Sequence, residues 1–319
     1  APSPDSESLF ITTYSPFGPE GIWRSAGDPL GKYWERLLTM DTTTDAVILR
    51  LSASVSDDST MYAAEAGSNL MAVSYNRGNT WQWCSAPEPV IDMVVYNEET
   101  VYVALPEGYI SKTIDSAWIW QDPVDTGLSE INMLAVAPDG TILVGGRNGE
   151  VAYSTDGGDS FTRIYEAVDG NDVQVMADVD FKENRIIYVA TDTPDSGIWR
   201  WMIDSSDEWE QIDRSITRLA GGQCISGLAM GLEGTLYALR SEPASVDSGG
   251  MMRSLNPLAP VSSTIEFDLV NRGLPEGTTF DPTVVFANAL PYLKLSEGTG
   301  QNELWSIDTA NQAIYRFQD

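Results

Sequence analysis

The octapeptide Ser154-Thr155-Asp156-Gly157-Gly158-Asp159-Ser160-Phe161 lies between the run Val151-Ala152-Tyr153 and the run Thr162-Arg163-Ile164-Tyr165. Two β-rich runs joined by a Ser/Asp/Gly cluster read as a hairpin: the Asp side chain can bond backbone amides across the turn, and the glycines accept positive φ. The chain repeats this turn. Ser74-Tyr75-Asn76-Arg77-Gly78-Asn79-Thr80-Trp81 matches it with Asn in place of Asp. Looser copies read as Ser111 with Thr113, Asp115 and Trp118; as Met202, Asp204 and Trp209; as Ser254 with Asn256; and as Ser306 with Asp308. Ser25, followed by Gly27, Asp28 and Trp34, reads as the same turn lengthened by about two residues.

With the turns as register marks, each is preceded by two β runs and followed by one, a unit of roughly 40 to 50 residues. The fourth unit is the cleanest. Ile131 to Ala137 leads through Pro138-Asp139-Gly140 into Thr141-Ile142-Leu143-Val144-Gly145 and then the octapeptide; Pro presets φ in such a turn and Gly takes the left-handed position. The second run of most units has the form Val/Ile/Leu-Tyr-x-Ala or close to it, as at Met61-Tyr62-Ala63-Ala64 and Thr100-Val101-Tyr102-Val103-Ala104, and its small residue lets neighbouring units approach. Helical periodicity is absent throughout, so the reading is all-β. The first unit offers three runs and no evident innermost one, whereas the last offers four, from Thr283-Val284-Val285-Phe286-Ala287 to Ile314-Tyr315-Arg316-Phe317. Either a strand of the first unit escapes the pattern, or its inner edge is open to a neighbouring segment or another chain.

The octapeptide resembles the Asp-box, or BNR, repeat, of pattern Ser/Thr-x-Asp-x-Gly-x-Ser/Thr-Trp/Phe. Ser154, Asp156, Gly158, Ser160 and Phe161 satisfy every specified position, and Ser74, Asn76, Gly78 and Trp81 mark the second copy. The resemblance implies a seven-bladed β-propeller with Asp-box turns on the blade rims, remote from the ligand face. The expected blades are about 9–40, 45–85, 86–127, 128–170, 171–217, 218–275 and 276–319, forming one domain after a flexible leader at 1–8. The boxes identify a fold and say little about chemistry. Their acidic members Asp156, Asp115, Asp204 and Asp308, with Asn76, are read as turn formers rather than calcium ligands, and Trp81, Trp118 and Trp209 as packed between blade edges. Trp118/Trp120 and Trp199/Trp201 alternate, so one member of each pair could face outward and mark a partner surface.

Composition limits the chemistry. The net charge is −29, with 47 acidic residues against 18 Lys and Arg, so nucleic acid and anionic lipid are poor partners. A hydrophobic content of 42%, with 10 Trp and 13 Tyr, excludes disorder as the reason for the acidity. The chain has no His, which removes Ser-His-Asp and Cys-His nucleophilic systems and imidazole zinc sites. Cys84 and Cys224 fall in units on different sides of the ring and are expected as free, buried thiols. No apolar run reaches the roughly 20 residues needed to span a bilayer. A chain that starts Ala1-Pro2-Ser3-Pro4 without Met reads as a processed secreted protein or an excised domain, so the expected location is extracellular or at the cell surface.

Three functional branches of the resembled propellers can be weighed on residues. Sialidases clamp a carboxylate with an Arg triad near the axis and carry a Phe/Tyr-Arg-Ile-Pro motif; this chain has no such motif, and only Arg50 falls inside an expected innermost strand. Glycoside hydrolases need only paired carboxylates, for which Asp92, Asp178, Asp180 and Asp281 are candidates, with exposed Trp to stack sugars. Among 47 acidic residues some pair is almost inevitable. The third branch, the photosystem-assembly propellers and their relatives, is similar across nearly the whole chain, although the Arg-rich patch of its photosynthetic members is missing. Gly145-Gly146-Arg147-Asn148-Gly149 opens no helix and reads as a turn rather than a phosphate cradle. The expectation is a non-catalytic scaffold with a protein partner, self-assembling through a blade edge or serving as a subunit of a surface layer. No cofactor is expected beyond weak calcium binding. A carbohydrate-active enzyme or a lectin-like glycan binder is the alternative.

Overall fold

The computed structural model describes residues 8–13, 19–27, 31–40, 46–52, 55–213, 224–231, 233–240, 249–278, 294–296, 303–308 and 313–318. Among them lie seven antiparallel sheets in chain order. The first is β1 (Ser8–Thr13), β2 (Glu20–Ala26) and β3 (Glu35–Met40). The second is β4 (Val47–Leu51), β5 (Met61–Glu65), β6 (Leu70–Ser74) and β7 (Gln82–Ser85). The third is β8 (Asp92–Val95), β9 (Val101–Ala104), β10 (Tyr109–Thr113) and β11 (Val124–Asp125). The fourth is β12 (Ile131–Val136), β13 (Ile142–Gly146), β14 (Val151–Ser154) and β15 (Thr162–Ile164). The fifth is β16 (Val173–Ala177), β17 (Ile186–Thr191), β18 (Ile198–Met202) and β19 (Glu210–Gln211). The sixth is β20 (Ile225–Met230), β21 (Leu236–Arg240), β22 (Met251–Ser254) and β23 (Asp268–Leu269). The seventh is β24 (Lys294–Ser296), β25 (Glu303–Asp308) and β26 (Ala313–Gln318).

Each sheet is a meander in which every strand pairs with its sequence neighbour, and the seven sheets of the described residues are blades of a β-propeller. β1 begins at Ser8, and residues 1–7, most of the expected leader, lie outside the described ones. Three strands of the first blade are described, as the sequence suggested. The segment expected as innermost strand of the last blade, 283–287, lies outside the described residues, and the closure of the ring with it. The outermost strands of the third, fifth and sixth blades are only two residues long, which keeps exposed edges short.

The apolar core lies between blades. Second strands such as β5, β9, β13, β17 and β21 are buried along their whole length because both faces are covered by neighbouring sheets, which explains their unbroken apolar runs. One cluster joins Phe10 and Ile22 to Val47 and Leu49, the next joins Ile48 and Met71 to Met93 and Val103, and the pattern continues to the sixth blade. The approach is close. A Cβ on Gly145 would stand 2.4 Å from the carbonyl oxygen of Val173 in the next blade.

The innermost strands are tied by polar side chains. Arg50 on β4 donates to Asp92 Oδ1 on β8, and Asp92 Oδ2 accepts the amide of Leu134 on β12 at 2.8 Å. Asn132 Nδ2 donates to the Val173 carbonyl at 3.1 Å, and Gln174 Nε2 to the Ile225 carbonyl at 3.3 Å. These bonds run from the second blade to the sixth and satisfy groups that the blade-to-blade seam would otherwise bury unpaired.

Candidate functional site

The turn between the third and outermost strands carries the clasp. In the fourth blade, the Ser154 hydroxyl donates to Asp156 Oδ1 (2.7 Å) and accepts the Gly158 amide (2.8 Å). Asp156 Oδ1 also accepts the Ser160 amide (3.0 Å), and Oδ2 accepts the Ser160 hydroxyl (2.5 Å). These donors hold the Asp156 carboxyl down at about 2, the Ser160 hydroxyl contributing most. In the second blade Ser74, Asn76, Gly78 and Thr80 repeat the arrangement, the Asn76 amide donating to the Thr80 hydroxyl at 2.8 Å. The lengthened first turn uses Ser25 in the same way, accepting the Gly31 amide at 2.8 Å.

The third blade corrects the expected register by two residues. Thr113, not Ser111, opens the clasp: its hydroxyl donates to Asp115 (2.8 Å) and accepts the Ala117 amide (3.2 Å). Asp115 accepts the amides of Trp118 (3.1 Å) and Ile119 (2.9 Å). Ser111 instead donates to the Gln121 carbonyl at 2.7 Å. The closing aromatic is therefore Trp120, which packs in the seam, whereas Trp118, expected to be packed, is 66% exposed beside Ile119 (72%) and Ile114 (57%). The spacing Thr113-x-Asp115 and the aromatic at 120 were legible; Ala in the place of Gly hid them.

The remaining turns vary. In the fifth blade the Met202 amide donates to the Ser206 hydroxyl at 3.0 Å, and Asp204, expected in the clasp, is solvent-facing at 3.8 Å from Arg185. In the sixth, Ser254 and Asn256 keep the clasp, but the amide received by Asn256 belongs to Glu266, ten residues on rather than four. Arg200 of the fifth blade pins this insertion through the carbonyls of Pro257 (2.7 Å) and Ala259 (3.2 Å). In the seventh, β25 runs through Ser306 and Asp308, and Asp308 pairs with Ala313, so both residues lie in the strand and not in the turn; residues 309–312 lie outside the described ones.

In the second to sixth blades the aromatic that closes the turn packs into the seam with the preceding blade: Trp81, Trp120, Phe161, Trp209 and Phe267. Trp209 also donates to the Glu166 carbonyl at 2.7 Å. In the first and third blades a cation one residue ahead of the clasp reaches the next blade's turn. Arg24 donates to the Arg77 carbonyl (2.8 Å), and Lys112 to the Gly157 carbonyl (2.9 Å). Val73 occupies that place ahead of the third blade's turn.

Two of the carboxylates suggested for hydrolysis, Asp92 and Asp178, make bonds that tie the fold. Asp92 ties three blades. Asp178 is fully buried and accepts from the Asp180 amide (3.0 Å), Asn184 Nδ2 (2.7 Å) and the Tyr188 hydroxyl (2.9 Å). The Asp180 carbonyl accepts the amides of Glu183 and Asn184 in a short helical turn, and Asp281 lies outside the described residues. Arg50 is spent on Asp92. On the opposite turns, burial and then the charge of Asp192 push the Asp172 carboxyl up; its amide donates to Asp192 at 3.0 Å, and Arg147 bridges it to Glu130. Gly145 and Gly146 both belong to β13. Among the described residues no group of three or more Cys, Asp or Glu is placed to hold a metal ion, and no helix is long and apolar enough to cross a membrane. Neither Cys84 nor Cys224 is in a disulfide; Cys224 is buried, as expected, and Cys84 half-buried.

No protein-family model matches this sequence, and no curated protein matches it. Solved structures do. YCF48 bound to D1 peptide superposes with a TM-score of 0.62 at 12% identity, over 99% of this chain and 93% of that one. The C-terminal WD40 domain of Sif2 gives 0.64 at 9% identity, over 100% and 80%. An ancestral GH74 enzyme gives 0.58 at 14% identity over 85% of this chain, which spans only 35% of that enzyme. At these identities the likeness establishes the architecture, and it is that of a β-propeller.

Proposed function

We propose that the chain is an Asp-box β-propeller acting as a non-catalytic protein-interaction module, extracellular or at the cell surface, as a scaffold or subunit of an assembly. The observation that carries the reading is the third clasp turn, where Ile114, Trp118 and Ile119 stand in water within six consecutive residues. An apolar group of that kind on a chain of net charge −29 is a feature of a partner surface rather than of a solvated rim. The use of Asp92 and Asp178 as ties, in place of a pair facing a cleft, supports the non-catalytic part. A structural neighbour bound to a peptide supports a polypeptide partner for the fold type.

The experiment is isolation of the protein from its native source under mild conditions, with protease shaving of intact cells beforehand. A stoichiometric complex on gel filtration and shaved peptides from this chain are expected. A monomer that releases reducing sugar from polysaccharide, or that binds specific sugars on a glycan array, overturns the reading in favour of an enzyme or a lectin.

A further inference from the structure

The third clasp turn forgoes two features that the second and fourth turns keep. The second residue after Asp115 is Ala117 at φ 67, where the others place Gly78 and Gly158. A left-handed alanine is disfavoured by the contact of its Cβ with the backbone. The hydroxyl supplied elsewhere by Thr80 and Ser160 is replaced by Ile119, so Asp115 loses that side-chain donor and keeps the backbone amides. Both changes cost local stability, and neither buries the isoleucine or Trp118. The outcome is a turn held at Thr113 and Asp115 whose three large side chains face water.

The surroundings are anionic. The Ser116 amide donates to the Glu99 carbonyl (3.0 Å) and its hydroxyl to the Glu98 carbonyl (3.3 Å), which sets the exposed residues Glu98 and Glu99 beside the turn. Asp122 follows on the outer side, also exposed. Lys112 is turned away to the fourth blade, and Val73 takes the place where a cation from the second blade would stand. A second copy of the chain, also at −29, is repelled at low ionic strength. A glycan could bond Glu98 and Glu99, but it would set its remaining hydroxyls against Ile114 and Ile119, which offer no hydrogen bond and are better covered by an aliphatic side chain.

On the interaction-module reading, we infer that this turn docks an extended cationic polypeptide segment in which arginine or lysine alternates with aliphatic residues. The guanidinium or ammonium lies over the open face of Trp118, a cation–π contact, with Glu98 and Glu99 as counter-charges. The aliphatic residue covers Ile114 and Ile119.

The test uses the full chain with 15N-labelled tryptophan indoles, and as probes an end-capped alternating Arg-Leu hexapeptide and its Glu-Leu counterpart. The Trp118 signal is assigned by its loss in Trp118→Phe. Expected are a saturable shift of that signal with the Arg-Leu peptide, about tenfold weaker binding in Trp118→Ser/Ile119→Ser, and severalfold weaker, less salt-sensitive binding in Glu98→Gln/Glu99→Gln. Both double variants alter exposed side chains and are expected to melt with the parent. No binding, equal binding of the Glu-Leu peptide, shifts confined to other indoles, or a Trp118 shift that follows protein concentration without peptide each overturn the assignment. If it fails while the chain is still isolated in a stoichiometric complex, the interaction reading stands and only the place and chemistry of docking fall.

Discussion

Tyr102 of the third blade donates its phenolic hydroxyl to the carbonyl oxygen of Gly157 in the clasp turn of the fourth, at 3.0 Å. Lys112 Nζ reaches the same oxygen at 2.9 Å. Gly158 must be glycine here: φ is 91°, and a Cβ would fall 2.9 Å from the Tyr102 ring. The turn and the ring are therefore one joint between blades. Burial pushes the Tyr102 phenol up to about 12, so it remains a donor across the whole neutral and mildly alkaline range.

Tyr102→Phe and Lys112→Met each remove one donor and leave the other, and each is expected to cost about 1 kcal/mol. The double variant leaves the carbonyl without either, so its loss exceeds the sum of the singles. A double-mutant cycle in urea denaturation reads this; strict additivity would show that the two donors act independently.

Asp92 joins a guanidinium in one direction and a backbone amide in the other, across three blades. Asp92→Ala strands Arg50 in the seam, where burial already pulls its pKa down against the pull of Asp92, and leaves the Leu134 amide unpaired. The expected loss is about 3 kcal/mol, whereas Arg50→Met in the same background recovers part of it. Denaturant midpoints of the two variants make the comparison.

The Asp156 carboxyl is held at about 2, below an unfolded-state value of about 3.9. A depressed folded-state pKa gives stability that is present above pH 4 and lost as pH falls through the folded value near 2. Asp156 is almost fully exposed, so solvent screening keeps its contribution small. Asp156→Asn is expected to flatten this part of the pH profile with little change at neutral pH, since Asn76 makes the same clasp in the second blade. Asp156→Ala loses the clasp at every pH. Thermal melts between pH 2 and 7 separate the three forms.

Burial raises the Cys84 thiol to about 11. At pH 8 its thiolate fraction, and hence its alkylation rate, is expected to fall on the order of a hundredfold below that of a free cysteine. Mass-resolved alkylation with iodoacetamide measures it. Reductant is expected to leave the melting temperature unchanged, since neither thiol is in a disulfide.

The all-β class, the unit of repetition and most strands were legible from the order of residues because each turn is a local object. Ser154, Asp156, Gly158 and Ser160 bond one another within seven residues, and the apolar runs beside them alternate or persist according to burial. The lengthened turn at Ser25 was readable for the same reason. Which aromatic of the third blade packs in the seam was masked, since Ala117 stands where the other turns carry glycine and so hid the Thr113-x-Asp115 register that selects Trp120 over Trp118. Asp92 looked like a catalytic candidate until its partners came from 42 residues to either side. Local bonding thus made the turns and strands predictable from sequence. Contacts between blades decided which carboxylates are structural and which apolar side chains remain in water, because those depend on surfaces brought together only when the ring assembles.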